Sequence, residues 1–209
     1  MNKRVCDENS QFWGKKITPS KIICIGRNYV DHIAELGNEI PDEMVVFLKP
    51  NSAISEVLHA THQEPLHYEA ELCFVYEKGR FIAVAVGLDL TKRELQNKLK
   101  TKGLPWERAK GFDGAALFSD FVEINTIDDE LSLELKIDGK IAQAGGVELM
   151  MYKPEVILTQ LKSFMSLEDG DIVMTGTPKG VGQIIEGAEF VAKVTRGDKT
   201  LTSASWLAN

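Results

Sequence analysis

Tyr68-Glu69-Ala70-Glu71-Leu72-Cys73-Phe74-Val75-Tyr76 is the stretch whose reading decides the fold. In an extended chain Ala70, Leu72 and Phe74 share one face, and Glu69, Glu71, Cys73 and Val75 share the other. Lys78-Gly79-Arg80 then turns the chain into the apolar run 81–88, so the two segments are expected to pair as an antiparallel hairpin. Working outward, residues 21–25 read as a short buried strand, 44–48 as another apolar strand, and 172–174 as a strand led in by Gly170-Asp171. Residues 131–137 alternate and run into Asp138-Gly139, a strong hairpin-turn signal, and residues 190–195 and 199–203 read as a last hairpin across Gly197.

Helices are fewer. Tyr29, His32, Ile33 and Leu36 fall at helical spacing within 28–36, and Gly37 suits the helix end. Thr91-x-x-Glu94 is a capping-box pattern opening a helix of roughly ten residues with Leu95 and Leu99. Pro154 fits the first turn of a helix carrying Val156, Ile157, Leu161 and Phe164. Strands outnumber helices and rarely alternate with them. The fold class is therefore α+β with mixed, mainly antiparallel sheets, rather than doubly wound. Neither a repeat nor a linker divides residues 1–209, which read as one catalytic domain with a polar lead-in over 1–18.

Of 209 residues, 44% are hydrophobic and 26% charged, an ordinary globular composition. Asp plus Glu outnumber Lys plus Arg by 31 to 24, which disfavours a general nucleic-acid binder. The longest clean apolar run, 81–88, is too short to span a bilayer, which takes about 20 residues. Cys6, Cys24 and Cys73 form no Cys-x-x-Cys, and residues 1–16 show no signal-peptide core. A cytoplasmic protein is the resulting expectation, with neither nucleic acid nor membrane as partner.

Burying Glu69 and Glu71 on one strand face requires positive charge between them, since like charges this close repel or retain a proton. A hard divalent cation meets that need. Asp89, at the end of the partner strand, is the best third carboxylate by topology. The plainer alternative is the wetted face of an amphipathic strand. His32 and Glu35 lie one helical turn apart, so Glu35 can orient His32 as a proton acceptor. Lys110 lies in a Gly-flanked stretch, and Thr175-Gly176-Thr177-Pro178-Lys179-Gly180 can present backbone N–H groups to an anion such as a carboxylate.

In this order the segments resemble the fumarylacetoacetate hydrolase family, in particular its single-domain acylpyruvase and 2-oxo acid branch, over about residues 21–194. The resemblance rests on Cys24-x-Gly26-Arg27-Asn28-Tyr29-x-x-His32-x-x-Glu35-Leu36, Leu48-Lys49-Pro50, His67-x-Glu69-x-Glu71-Leu72 and Leu88-Asp89-Leu90-Thr91. It continues through Gly103-Leu104-Pro105-Trp106, Ala109-Lys110, Leu167-Glu168-x-Gly170-Asp171-Ile172 and Thr175-Gly176-Thr177-Pro178-x-Gly180-Val181-Gly182. It implies a β-rich roll, usually in homodimers, with Mg²⁺ or Mn²⁺ held by Glu69, Glu71 and Asp89. It further implies Lys110, Gln96 and Thr177 on the substrate side and a mobile lid carrying His32 and Glu35. Arg27, Asn28 and Tyr29 would lie close to a small 2-oxo acid.

The activity so implied is metal-dependent hydrolysis of acylpyruvates, a C–C cleavage releasing pyruvate, with oxaloacetate decarboxylation alongside. The alternatives are a hydratase, isomerase or keto–enol tautomerase of dicarboxylic 2-oxo acids, and a non-catalytic 2-oxo acid binding protein. Two segments depart from the family pattern, 114–121 and Gln143-Ala144-Gly145-Gly146-Val147-Glu148, where a hydroxyl residue is usual near Val147. Both departures bear on the identity of the acyl group.

Overall fold

The computed structural model describes residues 3–6 and 12–209. In chain order the elements begin with β1 (Lys3–Cys6), β2 (Phe12–Ile17), β3 (Lys21–Gly26), α1 (Val30–Glu35), β4 (Val45–Pro50) and β5 (Leu66–Tyr68). The central hairpin is β6 (Ala70–Glu77) and β7 (Arg80–Asp89), followed by β8 (Thr91–Lys92), α2 (Arg93–Thr101), α3 (Glu107–Lys110), β9 (Ala116–Phe118) and β10 (Phe121–Glu123). The remainder is β11 (Leu131–Ile137), β12 (Lys140–Gly146), α4 (Pro154–Phe164), β13 (Ile172–Met174), β14 (Gly182–Gln183), β15 (Glu189–Arg196) and β16 (Lys199–Leu207).

The nine-stranded sheet runs β2-β1-β10-β7-β6-β13-β3-β4, with β9 also on β7. Among the described residues only its β1–β10 and β13–β3 strand pairs are parallel. A four-stranded sheet, β12-β11-β15-β16, and a three-stranded one, β14-β5-β8, are antiparallel throughout. This is the expected α+β roll with mixed, mainly antiparallel sheets.

Alternation dictates the layers. Ile23, Ile25, Leu72, Phe74, Val84, Val86 and Val173 leave one face of the large sheet and meet Leu131, Leu133, Leu135, Phe190, Ala192 and Val194 of the smaller one. Ile22, Cys24, Cys73, Val75, Ala83, Ala85, Ile172 and Met174 leave the opposite face and pack with Phe47, Ile54 and Phe121. The large sheet is thus buried on both sides. Lys78 and Gly79 turn the central hairpin with positive φ of 47° and 91°, the twist a two-residue turn needs.

Two readings are refined and two corrected. The polar lead-in contains β1 and β2, which extend the large sheet at its edge, where lysine-rich strands are tolerated; residues 1, 2 and 7–11 of that lead-in lie outside the described residues. Thr91 does not cap α2. It sits in β8, and the Glu64 carboxylate instead accepts from the N–H groups of Glu94 and Leu95, 3.0 and 3.2 Å away. Helix α4 buries Ile157 and Leu161 but leaves Val156 and Phe164 exposed, because only a narrow stripe is covered. The strand read over 68–76 is broken at Glu69, where the chain passes from the three-stranded sheet into the large one.

Candidate active site

That break positions the carboxylates. Ala70 pairs with Leu88, and the Asp89 N–H donates to the Glu69 carbonyl at 2.8 Å, so Glu69 and Asp89 face each other across the mouth of the hairpin. Glu71 follows two residues on along the same face. One oxygen from each of the three lies within 4.8 Å of the other two, and all three side chains are buried.

Three cations surround them. Lys110 Nζ donates to Glu69 Oε2 at 2.7 Å, Asp89 Oδ2 at 2.8 Å and Thr91 Oγ1 at 2.6 Å, which engages all three of its protons. Arg93 pairs with Glu69 Oε1 and donates to Gln96 Oε1 at 2.7 Å. Lys49 lies 2.7 Å from Asp89 Oδ1 and donates to the carbonyls of Leu90 and Lys110. Burial alone would raise the Glu69 carboxyl, but Lys110 and Arg93 outweigh it and hold Glu69 well below the usual range. Burial works against the Lys110 ammonium, yet Asp89 and Glu69 keep it protonated above the ordinary lysine range. Glu71 differs. Burial, then Asp89 and Glu69, push its carboxyl well up, and its hydrogen bond is an acceptance at 2.7 Å from the Gly176 N–H.

The Gly-rich loop binds anions as expected, but those anions are the protein's own carboxylates. Gly176 serves Glu71, and Gly180 N–H serves both oxygens of Glu35, at 3.0 and 3.2 Å. Both glycines are obligatory. Gly176 has φ +95° and Gly180 φ +102°; a Cβ on Gly180 would sit 2.0 Å from the Ala142 carbonyl oxygen. Glu35 Oε2 also lies 3.3 Å from His32 Nδ1, so the predicted pair forms and is docked onto this loop. Lys179 and Asp31 add an exposed ion pair across the same contact.

The cleft beside the carboxylates draws its walls from several elements. Arg27, His32, Gln96, Lys110 and Thr177 line it together with Glu69, Glu71 and Asp89. Asn28 and Tyr29 stand behind this wall. The Asn28 amide donates to the carbonyls of Tyr152 and Thr175 and accepts from Tyr152 N–H, fixing the loop rather than facing the cleft. Tyr29 lies in the main core; its buried hydroxyl has no hydrogen-bond partner among the described residues, and burial followed by Glu71 pushes it up. The two departing segments also stay out of the cleft lining, and Val147 is a core side chain.

Sequence reasoning missed three contributors. Lys49 shares the inward face of β4 with Phe47, while Leu48 between them is 37% exposed; a lysine closing an apolar strand was the available signal. Arg93 was hidden in the helix start. Gln143 is fully buried, donates to Thr177 Oγ1 and the Pro178 carbonyl at 2.7 Å each, and accepts from Ala70 N–H at 2.8 Å. It ties the Gly-rich loop to the carboxylate strand, and nothing local in sequence announces that.

A family model described as fumarylacetoacetate (FAA) hydrolase C-terminal matches residues 21–204. An oxaloacetate tautomerase of Bos taurus is 40% identical over 199 residues, 87% of this chain and 88% of that protein. An oxaloacetate decarboxylase of Dictyostelium discoideum is 36% identical over 206 residues, 89% and 92% of the two chains. The crystal structure of fumarylpyruvate hydrolase from Pseudomonas aeruginosa in complex with Mn²⁺ and pyruvate superposes with a TM-score of 0.86 at 26% identity, covering 99% of this chain and 95% of that one. Both oxaloacetate enzymes are named mitochondrial, as are the tautomerases of Arabidopsis thaliana and Homo sapiens. This overturns the cytoplasmic expectation, because unpaired cysteines report reducing surroundings without distinguishing one reducing compartment from another. Among the described residues no helix is long and apolar enough to cross a membrane.

Proposed function

Since the chain belongs to the fumarylacetoacetate hydrolase family, we propose that it is a divalent-cation-dependent keto–enol tautomerase of oxaloacetate. Supporting this reading is 40% identity to a tautomerase across nearly the whole chain, joined to a buried three-carboxylate cluster in a cleft that also holds a His–Glu pair.

The donor set fits a hard cation, Mg²⁺ or Mn²⁺. The decisive observation is geometric: one carboxylate oxygen from each of Glu69, Glu71 and Asp89 lies within 4.8 Å of the other two, all three buried, an all-oxygen set of the kind hard cations take. Bound by Glu69, Glu71 and Asp89, the cation would supply Lewis-acid polarisation of the 2-oxo group. His32, steadied at Nδ1 by Glu35, moves a proton at C3: the C3–H pair becomes the C2–C3 double bond, and the 2-oxo oxygen gains the proton of the enol. Lys110 has no proton left for substrate in this arrangement. Its part is to neutralise Glu69 and Asp89, while Gln96, with its oxygen taken by Arg93, keeps its amide hydrogens for substrate. Assembly as a homodimer belongs to the same proposal.

A second reading is hydrolysis of acylpyruvates, which the same His–Glu pair supports as a means of activating water. The deciding experiment supplies enol-oxaloacetate and acetylpyruvate to metal-stripped protein before and after Mg²⁺ or Mn²⁺, following enol absorbance, CO₂ and pyruvate. Cation-restored loss of enol with unchanged mass supports the tautomerase. Pyruvate and acetate from acetylpyruvate, without accelerated enol loss, would replace it with the hydrolase.

A further inference from the structure

The rim of the cleft carries more positive charge than its carboxylates balance. Arg27, Arg93 and Lys100 all line it. Arg93 is neutralised by Glu69, and Lys110 by Glu69 and Asp89. Arg27 and Lys100 instead share one neutral acceptor: Asn38 Oδ1 lies 2.8 Å from Lys100 Nζ and 3.4 Å from Arg27 Nη2. Among the described residues neither forms an ion pair. Two cations converging on one amide oxygen repel each other, and an anion between them relieves that cost. Burial, followed by Arg27 and Arg93, disfavours the charged form of Lys100.

The end of α2 does not by itself account for Lys100. A cation in the last helical turn is favourable, but Lys98 already provides one at an exposed position. Asn38 is in turn fixed by its backbone N–H, which donates to the Ile33 carbonyl at 3.0 Å, at the end of the helix that carries His32 and Glu35. Both cations are therefore held on defined supports at the cleft.

Resting on the 2-oxo acid reading above, we propose that Lys100 is a specificity-determining residue that, together with Arg27, receives the distal carboxylate of a dicarboxylic 2-oxo acid. With a cation held by Glu69, Glu71 and Asp89, the carboxylate next to the 2-oxo group would lie at that end of the cleft. The second carboxylate then needs a cation not already neutralised, and Arg27 and Lys100 are the two that line the cleft in that state.

The test compares oxaloacetate with its C4 methyl monoester, which keeps the carbon skeleton and loses the distal charge. For Lys100→Gln, KM for oxaloacetate should rise about tenfold or more while kcat stays within about twofold, the pattern of a lost uniform binding contact. KM for the monoester should not move, and Lys100→Arg should restore most of the preference for the diacid. An equal change on both substrates, or none on oxaloacetate, would overturn the assignment. Wild-type protein that converts both without preferring the diacid overturns this inference alone. Wild-type protein that converts neither overturns the underlying functional reading and this inference with it.

Discussion

Lys49 Nζ stands 2.7 Å from Asp89 Oδ1, and neither side chain retains more than 1% of its exposure. A buried pair of this kind is a weak source of stability as a whole, but removing one partner leaves an uncompensated charge in a place water does not reach. Lys49→Met should therefore destabilise the metal-free protein by about 3–5 kcal/mol in urea denaturation. Lys49→Met combined with Asp89→Asn should recover part of that loss. A double variant as unstable as the sum of the singles would show that Lys49 acts through packing instead.

Glu71→Gln separates structural from ligand-binding demands. The substitution replaces a buried carboxyl whose charge its neighbours disfavour with a neutral amide and keeps an oxygen to accept from Gly176 N–H. At neutral pH the metal-free variant should melt no lower than wild type. The rise in Tm that Mn²⁺ gives the wild type should vanish in the variant. A preserved Mn²⁺ shift would move the cation site away from Glu71.

How much of this was legible can be judged from the same residues. The hairpin that sets Glu69 opposite Asp89 follows from alternation and a turn, both local, and so was the expectation that Glu69, Glu71 and Asp89 converge. Glu35 beside His32 is likewise a one-turn relationship. The partners of those groups are long-range: Lys49 is 40 residues from Asp89 and Gln143 is 73 from Ala70. The Glu64 cap of α2 similarly belongs to another loop. No local period encodes such pairings. The Gly-rich loop is the mixed case, since its capacity to hold an anion is readable in its glycines, whereas the identity of that anion depends on where α1 docks.

Asp171 predicts an acid limit to stability. Burial works to raise its carboxyl, but the Glu168 N–H at 2.8 Å, the Lys21 ammonium at 2.6 Å and the Ser20 hydroxyl at 2.8 Å prevail and depress it. A carboxyl depressed on folding stabilises the protein above its unfolded value of about 3.9, and that stability is lost as pH falls through the lower folded value. Asp171→Asn should cost about 1.5–3 kcal/mol at pH 7, the range for losing a hydrogen bond to a charged group. The variant and wild type should converge as pH falls through that lowered folded value. Denaturation curves that remain parallel at every pH would remove Asp171 as the source.

The His32 and Glu35 pair offers the sharpest division between the two chemistries. If His32 carries a proton to and from C3, His32→Ala should lower kcat for enol-oxaloacetate by about 10²–10⁴, the usual contribution of a positioned acid–base group. Glu35→Gln should lose less, because an amide oxygen can still accept from Gly180 N–H and keep α1 docked, while a neutral partner steadies the imidazole less well. Acetylpyruvate cleavage, if present, should fall in parallel, since activating water needs the same imidazole. Decarboxylation of oxaloacetate should suffer least, because losing CO₂ requires no proton acceptor and depends chiefly on charge stabilisation at the 2-oxo group. Measuring all three rates on one preparation decides the matter: equal losses in decarboxylation and tautomerisation would mean that His32 orders the cleft rather than moving a proton.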